Sequence, residues 1–461
     1  MTQPKTFWTP RAWIDGAWHE QVLLACDATG HWNDIRTGAA APTGCARLAG
    51  PVIPPLVNAH SHAFQRAMAG LAERRAAGED DFWSWRDRMY ATALRITPDQ
   101  LHAVALQLYV ELLRGGYTQV CEFHYLQHDT DGARYADPMA LSWSLADAAE
   151  EVGLGLTLLP VLYERAGFAQ SALREDQRRF ATTPADVIAL QRAAQSSGRR
   201  HLNAGVAIHS LRAASADSIR ELRRLAENVE GPIHIHVAEQ TAEVDDCVAA
   251  TGARPIEWLA RERLLDARWQ LVHATHALPA EIDAVAESAA GVVICPATEA
   301  NLGDGLCDLP RWLAARVPIA VGSDSQVTRN WAEELRWLDY GQRLALRRRN
   351  VAALPGSQPS TAASLFDASL ASGAAAAGLA AWGLRAGARA DFLVLDAHDP
   401  ALLGVPPSRT LDALVFSSPG DAIRDVAVAG QLVVRNRRHA AQDAIAARFE
   451  QAMAVLWADV D

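Results

Sequence analysis

The stretch Pro51-Val-Ile-Pro-Pro-Leu-Val-Asn58-Ala-His60-Ser-His62 joins a run of apolar residues to two histidines. The apolar run predicts a buried β-strand over 51–58. Since alternate side chains of a strand lie on the same face, His60 and His62 can point at one metal ion, and neutral imidazoles suit zinc or iron. The His-X-His pattern alone is weak evidence for a metal site, because paired histidines are also common on protein surfaces.

Seven further short apolar segments follow along the middle of the chain, separated by longer stretches with helical patterning. They predict strands at 117–124, 154–162, 204–209, 232–237, 269–274, 291–295 and 317–323. Between the first two of these eight strands, Thr97-Pro-Asp-Gln100 has the N-cap, the first-turn proline and the capping-box glutamine of a helix start. Eight buried strands alternating with helices predict an α/β fold, a (β/α)8 TIM-like barrel, more readily than an open sheet.

The two ends of the chain have the composition of β structure. Short apolar segments broken by Gly and Asp occur near both termini. We therefore predict a small β-sandwich domain formed by residues 1–50 and 383–440. The barrel is predicted over 51–382 and a C-terminal helix over 441–461.

Composition and charge exclude several classes of function. No apolar run reaches the roughly 18 to 20 residues that a membrane span needs. With 43 basic and 54 acidic residues the formal net charge is −11, so we expect neither nucleic acid nor a membrane as a partner. The first residues lack the pattern of a signal peptide, and the six cysteines are scattered without a CxxC pair. These features favour a cytoplasmic protein with reduced thiols.

Residues that can bind a metal also occur at the ends of three later strands. Strand five ends in His234-Ile-His236-Val-Ala-Glu239, strand six in Val272-His273-Ala-Thr-His276, and strand eight in Gly322-Ser-Asp324. The active sites of (β/α)8 enzymes lie at the C-terminal ends of the barrel strands. A lone histidine in such a position is more often structural, but four strand ends with ligand-type residues predict a metal site.

This pattern resembles the amidohydrolase superfamily, specifically its deaminase-like branch with one metal ion. The resemblance implies four metal ligands, namely His60, His62, His236 and Asp324. It also implies that Glu239 is a proton shuttle and that His273 is the catalytic histidine of strand six. Binuclear relatives bridge two metals with a carboxylated lysine, whereas Lys5, before strand one, is the only lysine of this chain. We therefore expect one divalent ion, Zn2+ in the first place and Fe2+ as the alternative.

A closer resemblance extends from about residue 50 to about residue 435. It rests on Asn58-Ala-His-Ser-His-Ala-Phe-Gln-Arg-Ala-Met-Ala-Gly-Leu-Ala, Phe82-Trp-Ser-Trp-Arg86, Glu122-Phe-His-Tyr125, Ile208-His-Ser-Leu-Arg212 and Thr298-Glu-Ala-Asn-Leu-Gly-Asp-Gly. These motifs resemble deiminases of the superfamily that hydrolyse N-formimidoyl-L-glutamate to N-formyl-L-glutamate and ammonia in histidine degradation. The resemblance implies a small dicarboxylate substrate and a homodimer. In one departure from the expected Gly-Ser-Asp-Ser-His of strand eight, this chain has Gln326 in the last place.

The same resemblance implies five substrate-binding residues, namely Gln65, Arg86, Tyr125, His209 and Arg212. Two arginines suit a substrate with two carboxylates, because a guanidinium binds a carboxylate through two parallel hydrogen bonds. A structural role is the alternative for each of the five. Arg86 in particular could pair with Asp81 or Asp87 on a helix surface.

In the expected mechanism, Asp324 takes the proton of the attacking water and His273 stabilises the tetrahedral centre. Glu239 passes a proton to the leaving nitrogen. One alternative is another one-metal deaminase, acting on guanine, cytosine or an S-adenosyl compound, whose pocket should offer aromatic stacking and amide contacts to a ring. The other is a barrel without catalysis that serves as an interaction protein. Such a barrel would usually have lost ligands, and here all are present.

Overall fold

The structure is a computed structural model that describes residues 5–75 and 81–458. Within these residues, two nine-stranded sheets organise the fold. One is a parallel sheet whose strands neighbour each other in chain order, with a ninth short strand, Leu202–Ala204, on the third. The eight main strands are Leu56–Ser61, Tyr117–His124, Gly155–Leu162, Val206–Ile208, Ile233–Val237, Trp269–His273, Gly291–Ile294 and Ile319–Val321. We number these strands one to eight.

The barrel closes where strand eight meets strand one, a junction that we call the seam. Ser61 and Asp324 form a parallel bridge there. The main-chain N–H of Asp324 donates to the carbonyl of His60 at 3.0 Å, and that of His62 donates to the carbonyl of Asp324 at 3.2 Å. The predicted (β/α)8 barrel is confirmed, and two of its closing hydrogen bonds involve predicted metal ligands.

Helices cover the outside of the barrel. The predicted helix start is confirmed: Thr97 Oγ1 accepts from the N–H of Gln100, and Gln100 Oε1 accepts from that of Thr97. The α-helices are Phe82–Ala93, Pro98–Arg114, Ala140–Val152, Pro184–Gln195, Ala216–Leu225, Thr241–Thr251, Pro255–Arg261, Pro279–Ser288, Pro296–Leu302, Leu309–Ala314, Trp331–Leu346, Thr361–Ala376, Thr410–Phe416 and Gln442–Leu456. Short 3-10 helices are Ala63–Ala67, Glu175–Gln177, Ala226–Asn228 and Pro407–Arg409.

The second sheet is mixed and combines strands from both ends of the chain. In spatial order its strands are Arg438–His439, Gln431–Arg435, Ile423–Val428, Phe392–Leu395, Val52–Ile53, Lys5–Ile14, Ala17–Cys26 and Trp32–Arg36, with Ala46–Arg47 beside Lys5–Ile14. Val52–Ile53 joins the two halves, because it pairs with Lys5–Ile14 on one side and with Phe392–Leu395 on the other.

The predicted strand 51–58 is wrong as a single element. Val52–Ile53 belongs to the mixed sheet, whereas Leu56–Ser61 opens the barrel. Pro54 and Pro55 separate the two pieces, because proline has no N–H to donate to a strand ladder. The division into residues 1–50 with 383–440, 51–382 and 441–461 otherwise stays a prediction, and residues 459–461 lie outside the described part of the chain.

Two further sequence expectations can be compared with the fold. All six cysteines lie in the described ranges, and none of them forms a disulfide. Among the described helices, none has the length together with the apolar character that crossing a membrane requires.

Candidate metal centre and active site

The four predicted metal ligands meet at the C-terminal end of the barrel. His60 Nε2 lies 3.2 Å from His62 Nε2 and 3.0 Å from His236 Nε2. Asp324 Oδ1 lies 3.3 Å from both His60 Nε2 and His62 Nε2. All four side chains are buried. His60, His62 and Asp324 thus form one compact group of ligand atoms, and His236 joins it through His60, within a second group that contains His273.

These spacings fit a divalent ion. Around zinc, with Zn–N near 2.0–2.1 Å, tetrahedral donor atoms are about 3.3 Å apart, close to the distances found here. His62 Nδ1 lies 2.9 Å from the carbonyl of Phe123, and His236 Nδ1 lies 3.0 Å from that of His209. Since Nδ1 must donate to these carbonyls, both Nε2 atoms present lone pairs to the cluster. Lone pairs in this arrangement, beside a carboxylate, are suited to hold a cation.

The protonation states of the ligands agree with this reading. Burial lowers the pKa of His60 to about 3 and holds the pKa of His236 well below its usual value. Burial alone would raise the pKa of Asp324, but its hydrogen bond with His60 and the neighbouring histidines hold that pKa below its usual value. Neutral imidazoles and an ionised carboxylate are the forms that bind metal.

His273 faces the cluster with carboxyl groups on two sides. Its Nε2 lies 3.6 Å from Glu239 Oε1 and 3.8 Å from Asp324 Oδ2, and its Nδ1 lies 3.3 Å from Glu299 Oε1. Burial alone would lower the pKa of His273, but the charges of these three carboxyls raise it to about 10. The imidazolium form is therefore favoured, and its Nε2–H is directed at the site.

Three carboxyl groups, Glu239, Glu299 and Asp304, surround His273, and we call them the acidic cluster. Ligand atoms of Glu239, His273 and Asp304 all lie within 4.8 Å of one another. Burial raises the pKa of Glu239 to about 7 and, with the charge of Glu239, that of Asp304 to about 9. Asp304 Oδ2 is buried without a partner among the described residues.

The sequence reasoning did not assign Glu299 or Asp304 to the site, although both lie in the quoted motif Thr298-Glu-Ala-Asn-Leu-Gly-Asp-Gly. Their carboxyl groups within that motif were the available signal. The motif does not show how close these two residues lie to His273.

The two predicted arginines converge on one tryptophan. The guanidinium carbon of Arg86 lies 4.6 Å from the centre of the Trp83 ring, and that of Arg212 lies 5.5 Å from it. Arg86 Nη2 is 3.7 Å from Asp87, whose side chain is 64% exposed, whereas that of Arg86 is 12% exposed. Asp81 instead caps the helix, accepting from the N–H groups of residues 83 and 84. The side chain of Arg86 is therefore mostly covered, and it keeps an ion pair with Asp87, one of the two partners of the structural alternative.

Unpartnered donors remain on both guanidinium groups. Within residues 5–75 and 81–458, Arg212 Nε, Arg212 Nη1 and Arg86 Nε are buried and have no hydrogen-bond partner. Burial, followed by the charges of Arg212 and Arg86, holds the pKa of His209 well below its usual value. Buried donors of this kind are expected to bind an anion, because leaving them unsatisfied costs about 1–3 kcal/mol or more each.

The remaining predicted substrate-binding residues, Gln65, Tyr125 and His209, lie close to the predicted metal ligands. The His209 ring lies 5.1 Å from that of His236 and 5.6 Å from that of Tyr125, measured between ring centres. Gln65 Nε2 donates to the Tyr125 hydroxyl at 3.1 Å. The structure thus brings all five predicted residues to one side of the metal ligands. It also adds Trp83, which lies inside the quoted motif but was not singled out.

His236 lies between the residues around the two arginines and those around the acidic cluster. Its ring contacts His209, on the arginine side, at 5.1 Å and His273, on the acidic side, at 5.5 Å between ring centres. The site therefore has two arginines at one end and a group of carboxyls around the His273 imidazolium at the other, with the predicted metal ligands in between.

Several backbone angles at the strand ends fall in the left-handed region. His273 has φ 67°, Ala274 φ 48° and Asp324 φ 43°. Such angles cost non-glycine residues about 1 kcal/mol or more each and tend to cluster at functional sites. They turn the chain so that His273 and Asp324 reach the cluster.

The comparisons with known proteins agree with this geometry. The model of the family described as "Amidohydrolase family" matches residues 52–433. The chain is 45% identical over 447 residues to the formimidoylglutamate deiminase of Pseudomonas aeruginosa, and the match covers 97% of this chain and 98% of that protein. It is 27% identical over 401 residues to the 5-methylthioadenosine/S-adenosylhomocysteine deaminase of Natronomonas pharaonis, and the match covers 87% of this chain and 85% of that protein.

A solved structure extends the likeness to three dimensions. The crystal structure of an amidohydrolase from Brucella melitensis matches with a TM-score of 0.93 and 41% identity, covering 98% of this chain and 99% of that one. The match spans the barrel and the mixed sheet together.

Proposed function

The chain belongs to the amidohydrolase family, and we propose that it hydrolyses N-formimidoyl-L-glutamate to N-formyl-L-glutamate and ammonia in histidine degradation. One divalent ion would be held by His60, His62, His236 and Asp324. The observation that carries the proposal is the pair of arginines on Trp83, of which Arg212 is buried, together with the group of buried carboxyls around His273.

The charges of the substrate match the two ends of this site. N-formimidoyl-L-glutamate has two carboxylates and a cationic formimidoyl group. Arg86 and Arg212 offer unpartnered donors for the carboxylates. The acidic cluster lies where the cationic group would meet the metal ligands. This complementarity supports a linear amidine with an acidic tail as the substrate class.

When bound, the ion polarises a water and lowers its pKa from about 15.7 toward 7. Asp324, held ionised beside His60, is placed to accept the proton of that water. His273 points its Nε2–H toward Glu239 and the metal ligands. There it stabilises the charge that develops on the atoms bonded to the reacting carbon. A preorganised donor of this kind can contribute about 10²–10³ in rate.

Glu239 is suited to carry a proton to the leaving nitrogen. Burial raises its pKa to about 7, so it can exist in both protonation states near neutral pH. Its Oε1 lies 3.6 Å from His273 Nε2, within the same cluster. Asp324 and Glu239 therefore have different tasks, because opposite influences shift their pKa values in opposite directions.

Three finer features belong to the proposal. Zinc is proposed as the ion, with iron as the alternative, since both accept three imidazoles and a carboxylate. A cytoplasmic location is proposed because the substrate arises in amino-acid degradation. The homodimer stays a prediction, and its test is the mass of the purified protein in solution.

The decisive experiment measures ammonia release by the purified, metal-loaded protein. We expect turnover of N-formimidoyl-L-glutamate, and a Glu239→Gln variant with the same ion content should lose most of it. Turnover of guanine, cytosine or S-adenosylhomocysteine with none of the formimidoyl compound would overturn the proposal and favour the deaminase alternative. A His236→Ala variant that kept both ion and activity would contradict the ligand assignment.

A further inference from the structure

A chain of buried polar side chains crosses the seam behind the metal centre. It consists of Asn58, Ser323, Gln326, Ser61 and Glu122, each at most 1% exposed. We call it the seam network. None of its members takes part in the chemistry proposed above. A fully hydrogen-bonded buried network favours one arrangement of the groups it joins.

The hydrogen bonds between side chains of the seam network run in one direction, and the N–H of Ser323 also donates to Asn58 Oδ1 at 2.9 Å. Asn58 Nδ2 donates to Ser323 Oγ at 2.7 Å, and Ser323 Oγ donates to Gln326 Oε1 at 2.8 Å. Gln326 Nε2 donates to Ser61 Oγ at 3.1 Å, and Ser61 Oγ donates to Glu122 Oε2 at 2.9 Å. The side chain of Gln326 must therefore accept at one atom and donate at another.

The seam network holds the sequence neighbours of three metal ligands. Ser61 lies between His60 and His62 in the chain. Gln326 Nε2 also donates to the carbonyl of Asp324 at 2.6 Å, the same oxygen that accepts from the N–H of His62. Gln326 itself has φ 68°. These bonds hold a turn whose left-handed angles would otherwise be unfavourable.

Glu122 fixes the far side of His62. Its Oε1 accepts from the N–H of Ala63 at 2.6 Å, and its Oε2 accepts from Ser61. The residues directly before and after His62 are thus bound to one carboxyl group on strand two. The position of His62 is set by contacts on both sides.

We propose that Gln326 is a positioning residue, which holds Asp324 and the strand-one histidines at the spacing that the ion requires. This inference rests on the metal site of the proposed function. It also accounts for glutamine where histidine is expected, because a neutral imidazole likewise accepts at one nitrogen and donates at the other. A glutamate of the same length lacks the donor, and a methionine of similar shape lacks both.

The test compares the release of zinc from metal-loaded variants into excess chelator, followed with a colorimetric zinc indicator. Hydrogen-bond partners of metal ligands typically contribute 10- to 100-fold in metal affinity, so we expect Gln326→Met and Gln326→Glu to release zinc about 10- to 100-fold faster. Gln326→His should stay within about threefold of the parent protein. Steady-state kinetics on the loaded variants should show kcat falling more than KM rises.

Gln191→Met is the matched control. Gln191 is equally buried, and its Nε2 donates to the carbonyl of Glu230, near the start of strand five. This control should lose stability without releasing zinc faster. The proposal is overturned if Gln326→Met releases zinc no faster than the control, or if Gln326→His releases it as fast as Gln326→Met.

If Gln326→Met does not fold, Ser61→Ala breaks the network at the next link and should accelerate release in the same way. Unchanged release from Ser61→Ala would then count against the proposal. These measurements do not require the substrate, so a failure of the proposed reaction and a failure of the positioning role give different results.

Discussion

Replacing Arg212 with glutamine should damage the reaction more than any change at the neighbouring Arg86. Arg212 has two buried donors, Nε and Nη1, without partners in the described ranges of the chain, whereas Arg86 has one, Nε. These two N–H groups point to different sides of the guanidinium, so Arg212 can donate to two separate acceptor oxygens. Losing one partner of a buried, hydrogen-bonded charge pair costs about 2–5 kcal/mol.

We expect Arg212→Gln to cost about 3–5 kcal/mol, or about 150- to 4,000-fold in kcat/KM, because two charge-assisted bonds are lost. For Arg86→Gln, with one such bond, we expect about 2 kcal/mol, or about 30-fold. Both losses should occur mainly in KM, since the carboxylates are bound equally in the ground state and the transition state.

Two substrate analogues assign each arginine to a carboxylate. N-formimidoyl-4-aminobutyrate lacks the α-carboxylate, and N-formimidoyl-2-aminobutyrate lacks the γ-carboxylate. The variant that has lost the partner of the missing carboxylate should use that analogue about as well as the parent protein does. Initial rates of ammonia release for three proteins and three substrates measure this coupling.

Arg199→Gln is the control for these variants. The guanidinium of Arg199 also lies over a tryptophan, Trp143, at 4.7 Å, but it pairs with Asp147 on the surface. We expect its kcat/KM to be unchanged. If Arg212→Gln keeps kcat/KM within about threefold, the assignment of Arg212 to a substrate carboxylate is refuted, because even one charge-assisted bond is worth more.

Four other outcomes follow from the structure. Glu299→Gln should lower kcat about 10- to 100-fold with little change in KM in steady-state kinetics, because the carboxyl beside His273 Nδ1 is lost; an unchanged kcat would contradict this. Burial raises the pKa of Glu334, so the folded protein keeps a proton that the unfolded chain releases above about pH 4.3, and stability falls as pH rises. The free energy of unfolding of Glu334→Gln, measured with denaturant, should therefore gain on that of the parent as pH rises above about 4.3, by at most about 1.4 kcal/mol per pH unit; a difference independent of pH would refute this. Chelation should abolish activity and lower the melting temperature, with both restored by zinc, since an ion at a thousand times its Kd stabilises by about 4 kcal/mol. Gly322→Ala should lower stability by about 1–3 kcal/mol in denaturant unfolding, because the added Cβ would lie 2.7 Å from that of His60; parent-like stability would contradict the close approach of strands eight and one.

The metal ligands are the part of the site most open to prediction from sequence. A strand has a period of two, so His60 and His62 share a face wherever the strand lies. Parallel barrel strands all end on one side, which brings His236 and Asp324 to the same face. Their convergence follows from rules of local geometry and of the fold class, and no long-range packing detail is needed.

The recognition residues depend on packing that a sequence does not display. Arg86 could point to solvent or inward, and only its stacking on Trp83, three residues earlier on the same helix, settles the direction. Asp304 is 31 positions from His273 in the chain, so nothing local links the two. Gln326 departs from an expected histidine, and its partner Ser61 is 265 residues away.

The division of the strand at 51–58 had a visible signal. Pro54-Pro55 interrupts the apolar run, and prolines are excluded from the interior of a strand ladder. Hydrophobicity alone treats Val52–Ile53 and Leu56–Ser61 as one element. The hydrogen-bonding capacity of the backbone distinguishes them, and it is the better guide at such a position.

The closure of the barrel by Asp324 bears on the order in which the protein can be completed during synthesis. His60 and His62 leave the ribosome early, but their strand-eight partner is residue 324 of 461. A nascent chain that stops before Asp324 has three of the four ligands and an open sheet edge. The chain therefore gains its fourth proposed ligand and closes its barrel at the same late stage of translation. Under the proposed ligand set, a chain truncated before Asp324 should bind the ion more weakly than the complete barrel does.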